Sequence, residues 1–183
     1  MLTLSDHFEL LRKRIEPQEE RAEAASEIPA RVREFLHKSE TIKTTEPHSR
    51  LVGSYARHTA IKDVKDVDII LLLDLTYTDC LPANVLETLF SALHGLSEAL
   101  DDSGEPVVRR HQRRSVNIHL EKNDFDLDIV PAIALGGLDE SLQIPDKDWN
   151  EWVETHPLGY ATRLCQCLEY TKRRSREKGG AVD

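Results

Sequence analysis

Two aspartate pairs, Asp66-Val67-Asp68 and Asp126-Leu127-Asp128, are the groups in this chain best suited to chemistry. Apolar partners alternate with each pair: Val67 and Ile69 in the first, Phe125, Leu127 and Ile129 in the second. A strand repeats every two residues, so both aspartates of a pair project from the face opposite those partners. Carboxylates gathered in this way repel and raise one another's pKa. A divalent cation removes the conflict. Mg²⁺ prefers hard oxygen ligands and is commonly held by a few carboxylates together with substrate phosphates. Two such ions about 3.5–4 Å apart assist attack by one oxygen on a phosphate and departure of another. The bland alternative is four solvated aspartates at strand ends.

A second feature lies upstream. Gly53-Ser54 follows a short apolar stretch, Leu51-Val52, and precedes a segment with helical character. Backbone N–H groups at such a start, with a hydroxyl beside them, form an anion site. Glycine permits close approach of a phosphate to the backbone. Gly-Ser alone marks a turn, but one placed shortly before an Asp-x-Asp strand is a more specific signal.

The elements that must position these groups follow from periodicity. Leu4, Phe8, Leu11 and Ile15 form a helical stripe, Pro17 interrupts it, and Ile28, Val32, Phe35 and Leu36 resume a helical face. Pro29 fits either the first turn after a Ser26 cap or a kink in a longer helix. Thr41 to Ser49 reads as a loop or short strand, Leu51 to Ser54 as a short strand ending in a turn, and Tyr55 to Ile61 as one or two helical turns. Val67 to Leu73 has the apolar, β-branched character of a buried strand. Pro82 to Leu100 reads as one helix, carried by Val85, Leu86, Leu89, Leu93, Leu96 and Leu100. Asp102 to Pro106 is a turn. Val116, Ile118 and Leu120 define another strand, and Lys122-Asn123-Asp124 a hairpin turn into the Phe125 strand. Thr155 and Pro157 open a last helix through Leu168, followed by a basic tail.

Composition narrows the classes. The 183 residues carry 24 Lys+Arg against 33 Asp+Glu, a net charge of −9, which opposes general binding to duplex nucleic acid. No apolar run is long enough to span a bilayer, and MLTLSDHFEL lacks the plan of a signal peptide. Three cysteines suit reduced thiols in the cytoplasm better than a disulfide frame. Cys165 and Cys167 would lie about 200° apart on a helix, which is no metal motif. Walker A, GxGxxG and Gly-x-Ser-x-Gly patterns are absent. The basic run Arg109, Arg110, His111, Arg113 and Arg114 reads as a solvated loop or strand edge, with a phosphate or acceptor role as the alternative.

Taken together, Gly53-Ser54-Tyr55-Ala56-Arg57-His58-Thr59-Ala60-Ile61 and the following Asp66-Val67-Asp68 resemble the signature of the polymerase-β-like nucleotidyltransferases. Within that superfamily the chain looks most like bacterial cyclic-oligonucleotide synthases related to cyclic GMP-AMP synthase and oligoadenylate synthetase. Asp128-Ile129-Val130-Pro131-Ala132 resembles their third-carboxylate motif, and Trp152 to Pro157 the tryptophan-to-proline segment that follows. The resemblance runs from about residue 5 to about residue 170. It implies an α/β (α+β) fold, a nucleotidyltransferase-type mixed sheet flanked by helices. Residues 1–40 would be a helical segment packed on the core, 41–155 the catalytic core, and 156–183 the start of a helical C-terminal part.

Carried over residue by residue, the resemblance implies that Gly53 and Ser54 hold the triphosphate of a donor nucleotide, with Arg57 close by. Asp66 and Asp68 would bind two Mg²⁺ (or Mn²⁺) ions, and Asp128 would complete the site. Asp126 shares the face and is the alternative third ligand. A nucleotide hydroxyl would attack the α-phosphate of a nucleoside triphosphate and release pyrophosphate, giving a cyclic di- or oligonucleotide second messenger of the anti-phage signalling type. Such synthases generally continue into a helical half that closes over the bases, and this chain stops soon after that half should begin. The reading therefore includes a missing C-terminal half or a partner protein that completes the site. Two alternatives stay open: another acceptor (a tRNA 3′ end, a protein or a small molecule), and a non-catalytic, antitoxin-like nucleotide-binding protein.

Overall fold

The computed structural model describes residues 3–15, 19–57, 66–100, 106–121, 124–136, 141–157 and 159. Two helices come first, α1 (Leu4–Ile15) and α2 (Glu19–His37). Pro29 lies inside α2, so the longer helix is the form adopted. Strand β1 (Thr44–Val52) follows, then the single helical turn α3 (Gly53–Ala56) and strand β2 (Asp66–Leu73). Helix α4 (Pro82–Ala92), a 3₁₀ turn (Leu93–Gly95) and α5 (Leu96–Leu100) form the next layer. The remaining strands are β3 (Val107–His111), β4 (Val116–Leu120), β5 (Phe125–Ala134), β6 (Leu142–Asp146) and β7 (Glu151–Thr155).

The strands join in one mixed sheet, ordered β1-β2-β5-β4-β3, with β6 pairing the far end of β5 and β7 pairing β6. β2 and β5 are parallel, and every other pair is antiparallel. The principal core lies between one face of this sheet and the helices. Val67, Ile69, Leu71, Val116, Ile118, Leu127 and Ile129 meet Val32, Leu36, Leu86, Leu89, Leu93 and Leu96 there. A smaller cluster, Ile70, Leu72, Ala132 and Leu142, covers part of the opposite face. β2 is covered on both sides after Asp68, which is why its sequence becomes a continuous apolar run.

Several elements depart from the periodicity reading. β1 is nine residues long and takes in most of the stretch expected to be a loop or short strand, because pairing with β2 stabilises polar residues that have no strand pattern of their own. The helical turn begins at Gly53, two residues before the expected start. The helix expected over Pro82 to Leu100 is broken by the 3₁₀ turn at Leu93–Gly95, where Gly95 weakens the helical preference. Leu93, Leu96 and Leu100 remain buried across the break. The expected turn at 102–105, the start of the hairpin turn at 122–123 and the final helix from 160 onward lie outside the described residues. No helix among the described residues is long and apolar enough to cross a membrane.

The hairpin of β6 and β7 is tied back to the β3–β4 turn by a buried carboxylate. Asp146 is fully enclosed and receives Arg113 Nε at 2.9 Å, Arg114 Nε at 3.0 Å and the Trp149 backbone N–H at 3.4 Å. Lys147 N–H also donates to the Arg113 carbonyl at 3.1 Å. The Arg113 hydrogen bond, then those of Arg114 and Trp149, hold the Asp146 carboxyl at about 2, below its ordinary 3.8. A depressed carboxyl stabilises the fold above its unfolded value and loses that contribution as pH falls through the folded one. Thermal melts should therefore show the wild type approaching Asp146→Asn in stability as pH falls from 3.8 toward 2. At neutral pH the variant should melt lower. A constant gap between the two across that range would show that the arginine pairing does not hold the hairpin.

Candidate active site

Parallel pairing of β2 and β5 sets Asp66 beside Asp126 and Asp68 beside Asp128. On β2, Val67, Ile69 and Leu71 enter the helix-side core, so Asp66 and Asp68 project from the other face. On β5, Phe125, Leu127 and Ile129 do the same for Asp126 and Asp128. Antiparallel β4 then places Asn117 beside Asp128 and His119 beside Asp126. Two rows cross the sheet on this face: Asp68, Asp128 and Asn117, and beside them Asp66, Asp126 and His119. Asn117 Nδ2 donates to Asp128 Oδ1 at 2.8 Å, and His119 Nδ1 lies 3.2 Å from Asp126 Oδ1.

Gly53 closes one end of the first row. β1 pairs Val52 with Asp68, and the chain turns at Gly53 with φ +72°. A Cβ there would overlap the Asp68 carboxylate, with Oδ2 its nearest neighbour. Glycine is needed at this point for two independent reasons, a left-handed backbone and the space occupied by Asp68. The sequence reading assigned the glycine to phosphate approach, and the structure adds the approach of the carboxylate itself. Ser54 follows in α3, and Arg57 sits at its C-terminal cap. Arg57 lies close enough to counter in part the upward pressure on Asp68.

The electrostatics match the geometry. Burial first, then the charges of Asp128 and Asp66, raise the Asp68 pKa. Burial also raises Asp128, with Asp126 and Asp66 adding to it, while hydrogen bonds from Asn117 and Gln112 oppose the rise. These are carboxylates held together against their mutual repulsion, with the Arg57 cation opposing it at Asp68. Among the described residues no group of three or more acidic, imidazole or thiol side chains converges closely enough to hold a metal ion by itself. An open row of carboxylate oxygens suits Mg²⁺ or Mn²⁺, which keep places for water and substrate phosphate. The donor set therefore fits the expected ions.

The arginine run divides by position. Arg109 donates to the Phe90 carbonyl at 2.8 Å and stacks on the Phe90 ring. Arg113 and Arg114 are committed to Asp146. Arg110 is paired in register with Asn117, and so shares the carboxylate face at the sheet edge. The edge placement expected for the run describes Arg110 alone, because Arg109 packs on α4 and Arg113 and Arg114 hold a buried carboxylate in the turn. His58 and the two C-terminal cysteines lie outside the described residues. Asn117, His119 and Gln112 were not singled out from sequence. The same period of two that exposes the aspartates places Asn117 and His119 on their face, but only the strand register reveals what they meet.

Two variants test this arrangement. Asp68→Asn removes a charge that burial and two neighbouring carboxylates oppose, so the metal-free protein should become more stable. A gain of about 1 kcal/mol would appear as a rise of about 2–4 °C in Tm, and saturating Mg²⁺ should shrink the difference. A lower Tm for metal-free Asp68→Asn would contradict stored repulsion. Gly53→Ala should cost about 1–3 kcal/mol from backbone strain alone, read by denaturant unfolding, and its Mn²⁺ affinity should fall because Asp68 must move.

Comparison with known proteins places this geometry in a family. Residues 2–167 match the Second Messenger Oligonucleotide or Dinucleotide Synthetase domain. The chain is 33% identical over 165 residues to a cyclic AMP-AMP-AMP synthase of Acinetobacter sp. (strain ATCC 27244 / 9458), covering 86% of this chain and 44% of that protein. In fold it resembles the CD-NTase CdnG of Bradyrhizobium diazoefficiens, solved in complex with GTP, at a TM-score of 0.71 and 18% identity, over 90% of this chain and 46% of that one. It also resembles CdnC of E. coli MS115-1, solved as a CdnC:HORMA-deltaN complex, at a TM-score of 0.62 and 16% identity, over 85% and 47% of the two chains. The chain spans less than half the length of these relatives. Carrying the family's match across nearly all its length, it belongs to the Second Messenger Oligonucleotide or Dinucleotide Synthetase domain family.

Proposed function

We propose that this chain is the catalytic core of a metal-dependent nucleotidyltransferase that joins nucleoside triphosphates into a cyclic di- or oligonucleotide second messenger. The observation that carries the reading is the register of β2 on β5, which aligns Asp66 with Asp126 and Asp68 with Asp128 beside the Gly53 turn. Asp66, Asp68 and Asp128 would hold Mg²⁺ or Mn²⁺. When bound, such ions neutralise triphosphate charge and make a hydroxyl a better nucleophile. The backbone at Gly53 and the Ser54 hydroxyl would orient the triphosphate. Arg57, at the cap of α3, would add a cation beside it, and Arg110 would meet phosphate from the other end of the row. A nucleotide hydroxyl then attacks the α-phosphorus, a new P–O bond forms, and the α–β phosphoanhydride bond breaks to release pyrophosphate. These side chains contribute chiefly by positioning and by charge.

Asp128 is the favoured third ligand over Asp126. It lies in register with Asp68, whereas Asp126 faces His119. The name of the Acinetobacter relative supports adenine nucleotides as the first substrates to test, while a role in anti-phage signalling in the cytoplasm is part of the proposal and rests on the sequence resemblance alone. The remainder of a longer chain, or a partner protein, would supply the surface that selects bases and closes the ring.

The test is an incubation with Mg²⁺ or Mn²⁺ and labelled ATP, GTP, CTP and UTP, singly and mixed, followed by phosphatase. A phosphatase-resistant product is expected, reduced to background in Asp66→Ala/Asp68→Ala. Nucleotide binding without product would locate the missing requirement outside this core. Failure to bind any nucleotide in the presence of metal would overturn the reading.

A further inference from the structure

The chain treats its enclosed carboxylates in two different ways. Asp146 is met by two guanidinium groups, Arg113 Nε at 2.9 Å and Arg114 Nε at 3.0 Å. Their positive charge cancels its own, and the carboxylate serves as an anchor. Asp128 is met by a side-chain amide instead. Asn117 is buried on β4, and its Nδ2 donates to Asp128 Oδ1 at 2.8 Å.

We infer that Asn117 is a positioning residue that fixes the rotamer of Asp128 while leaving its full negative charge available to a divalent cation. An amide donates a hydrogen bond without carrying charge, so it orients a carboxylate and does not compete with a cation for it. An arginine or lysine in the same place would orient Asp128 and neutralise it together. A carboxylate has about four lone-pair sites. The Asn117 amide takes one of them and leaves the others for a metal. Outer hydrogen bonds of this type orient metal ligands and tune their affinity. The register supports the assignment: Asn117 lies beside Asp128, as Asp68 does on the other side. The third carboxylate is thus held from β4 and faces β2.

This inference rests on the proposed reading of Asp128 as a metal ligand, and its test separates the two. Mn²⁺ binding to the full chain is followed by the loss of the free-ion EPR signal, alone and with a non-hydrolysable ATP analogue. Asp128→Ala fixes the worth of the ligand. Asn117→Leu, close in volume and unable to donate, should weaken Mn²⁺ about tenfold or more. In an Asp128→Ala background the same substitution should have no further effect, since the two act through one group. Asn117→Ser, whose shorter side chain falls out of reach of Asp128, should give a similar loss with the same non-additivity, and it decides the matter if Asn117→Leu does not fold. Equal losses from these substitutions with and without Asp128, or no loss at all, would overturn the positioning role while leaving the metal reading intact. Unchanged Mn²⁺ affinity in Asp128→Ala would overturn both.

Discussion

Four carboxylates held side by side on two parallel strands are the constraint on which the rest of the structure depends. Two like charges about 5 Å apart repel by about 3 kcal/mol at an effective dielectric constant near 20. Asn117, His119 and Arg57 relieve this repulsion only in part. The arrangement is imposed from beneath. Val67, Ile69, Leu127 and Ile129 are completely buried against the helices, and each contributes about 1.5–3 kcal/mol by leaving water. Two such side chains offset one repelling pair. A strand cannot turn its aspartates away without also turning its core residues into solvent, because a slip of one residue exchanges the faces. The hydrophobic core is in this sense the force that assembles the acidic row.

The same reasoning separates carboxylates that hold the fold together from those left available for chemistry. Asp146 is enclosed more completely than Asp68 or Asp128, yet its pKa falls while theirs rise. Burial acts in one direction on all three, so partners decide the sign. Guanidinium hydrogen bonds outweigh desolvation at Asp146. At Asp128 the amide hydrogen bonds only moderate it, and at Asp68 the charges of Asp128 and Asp66 add to it. Enclosure alone would have singled out the wrong aspartate. Enclosure combined with an unmet charge singles out the row on β2 and β5.

The acidic row was legible in the sequence because a central strand must satisfy the core on at least one face. The alternation around Asp66-Val67-Asp68 and Asp126-Leu127-Asp128 therefore carries its orientation openly. β3, β6 and β7 were not read as strands. Val107-Val108-Arg109-Arg110-His111 has no alternation, Leu142 to Asp146 contains Pro145, and Glu151 to Thr155 carries charges at both ends of an apolar pair. These short strands are held by pairing with neighbours, which leaves little trace in their own residues. The 3₁₀ break at Leu93–Gly95 was hidden for the opposite reason: the apolar period runs through it and the leucines remain buried. Gly53 was recognised as special, but one of its two reasons, the Asp68 carboxylate in the space of a Cβ, belongs to pairing between β1 and β2 and lies beyond any local reading.

The interval between β2 and β5 explains how Asn117 comes to matter. Parallel neighbours cannot be joined by a tight turn, and the chain must cross over before it returns. Here the crossover contains α4, α5 and the β3–β4 hairpin. The helices cover the core face beneath the aspartates. The hairpin covers the open edge of β5, and in doing so lays Asn117 beside Asp128 and His119 beside Asp126. One connection thus fixes the strand phase from below and orients the third carboxylate from the side. It adds no positive charge of its own to the first row until Arg110, one strand beyond Asn117. A chain of net charge −9 with its densest acid on one open face repels an anionic nucleotide. On the proposed reading, the cation that relieves the aspartates also admits the triphosphate, so the unfavourable charge of the row becomes the source of its affinity for metal and nucleotide together.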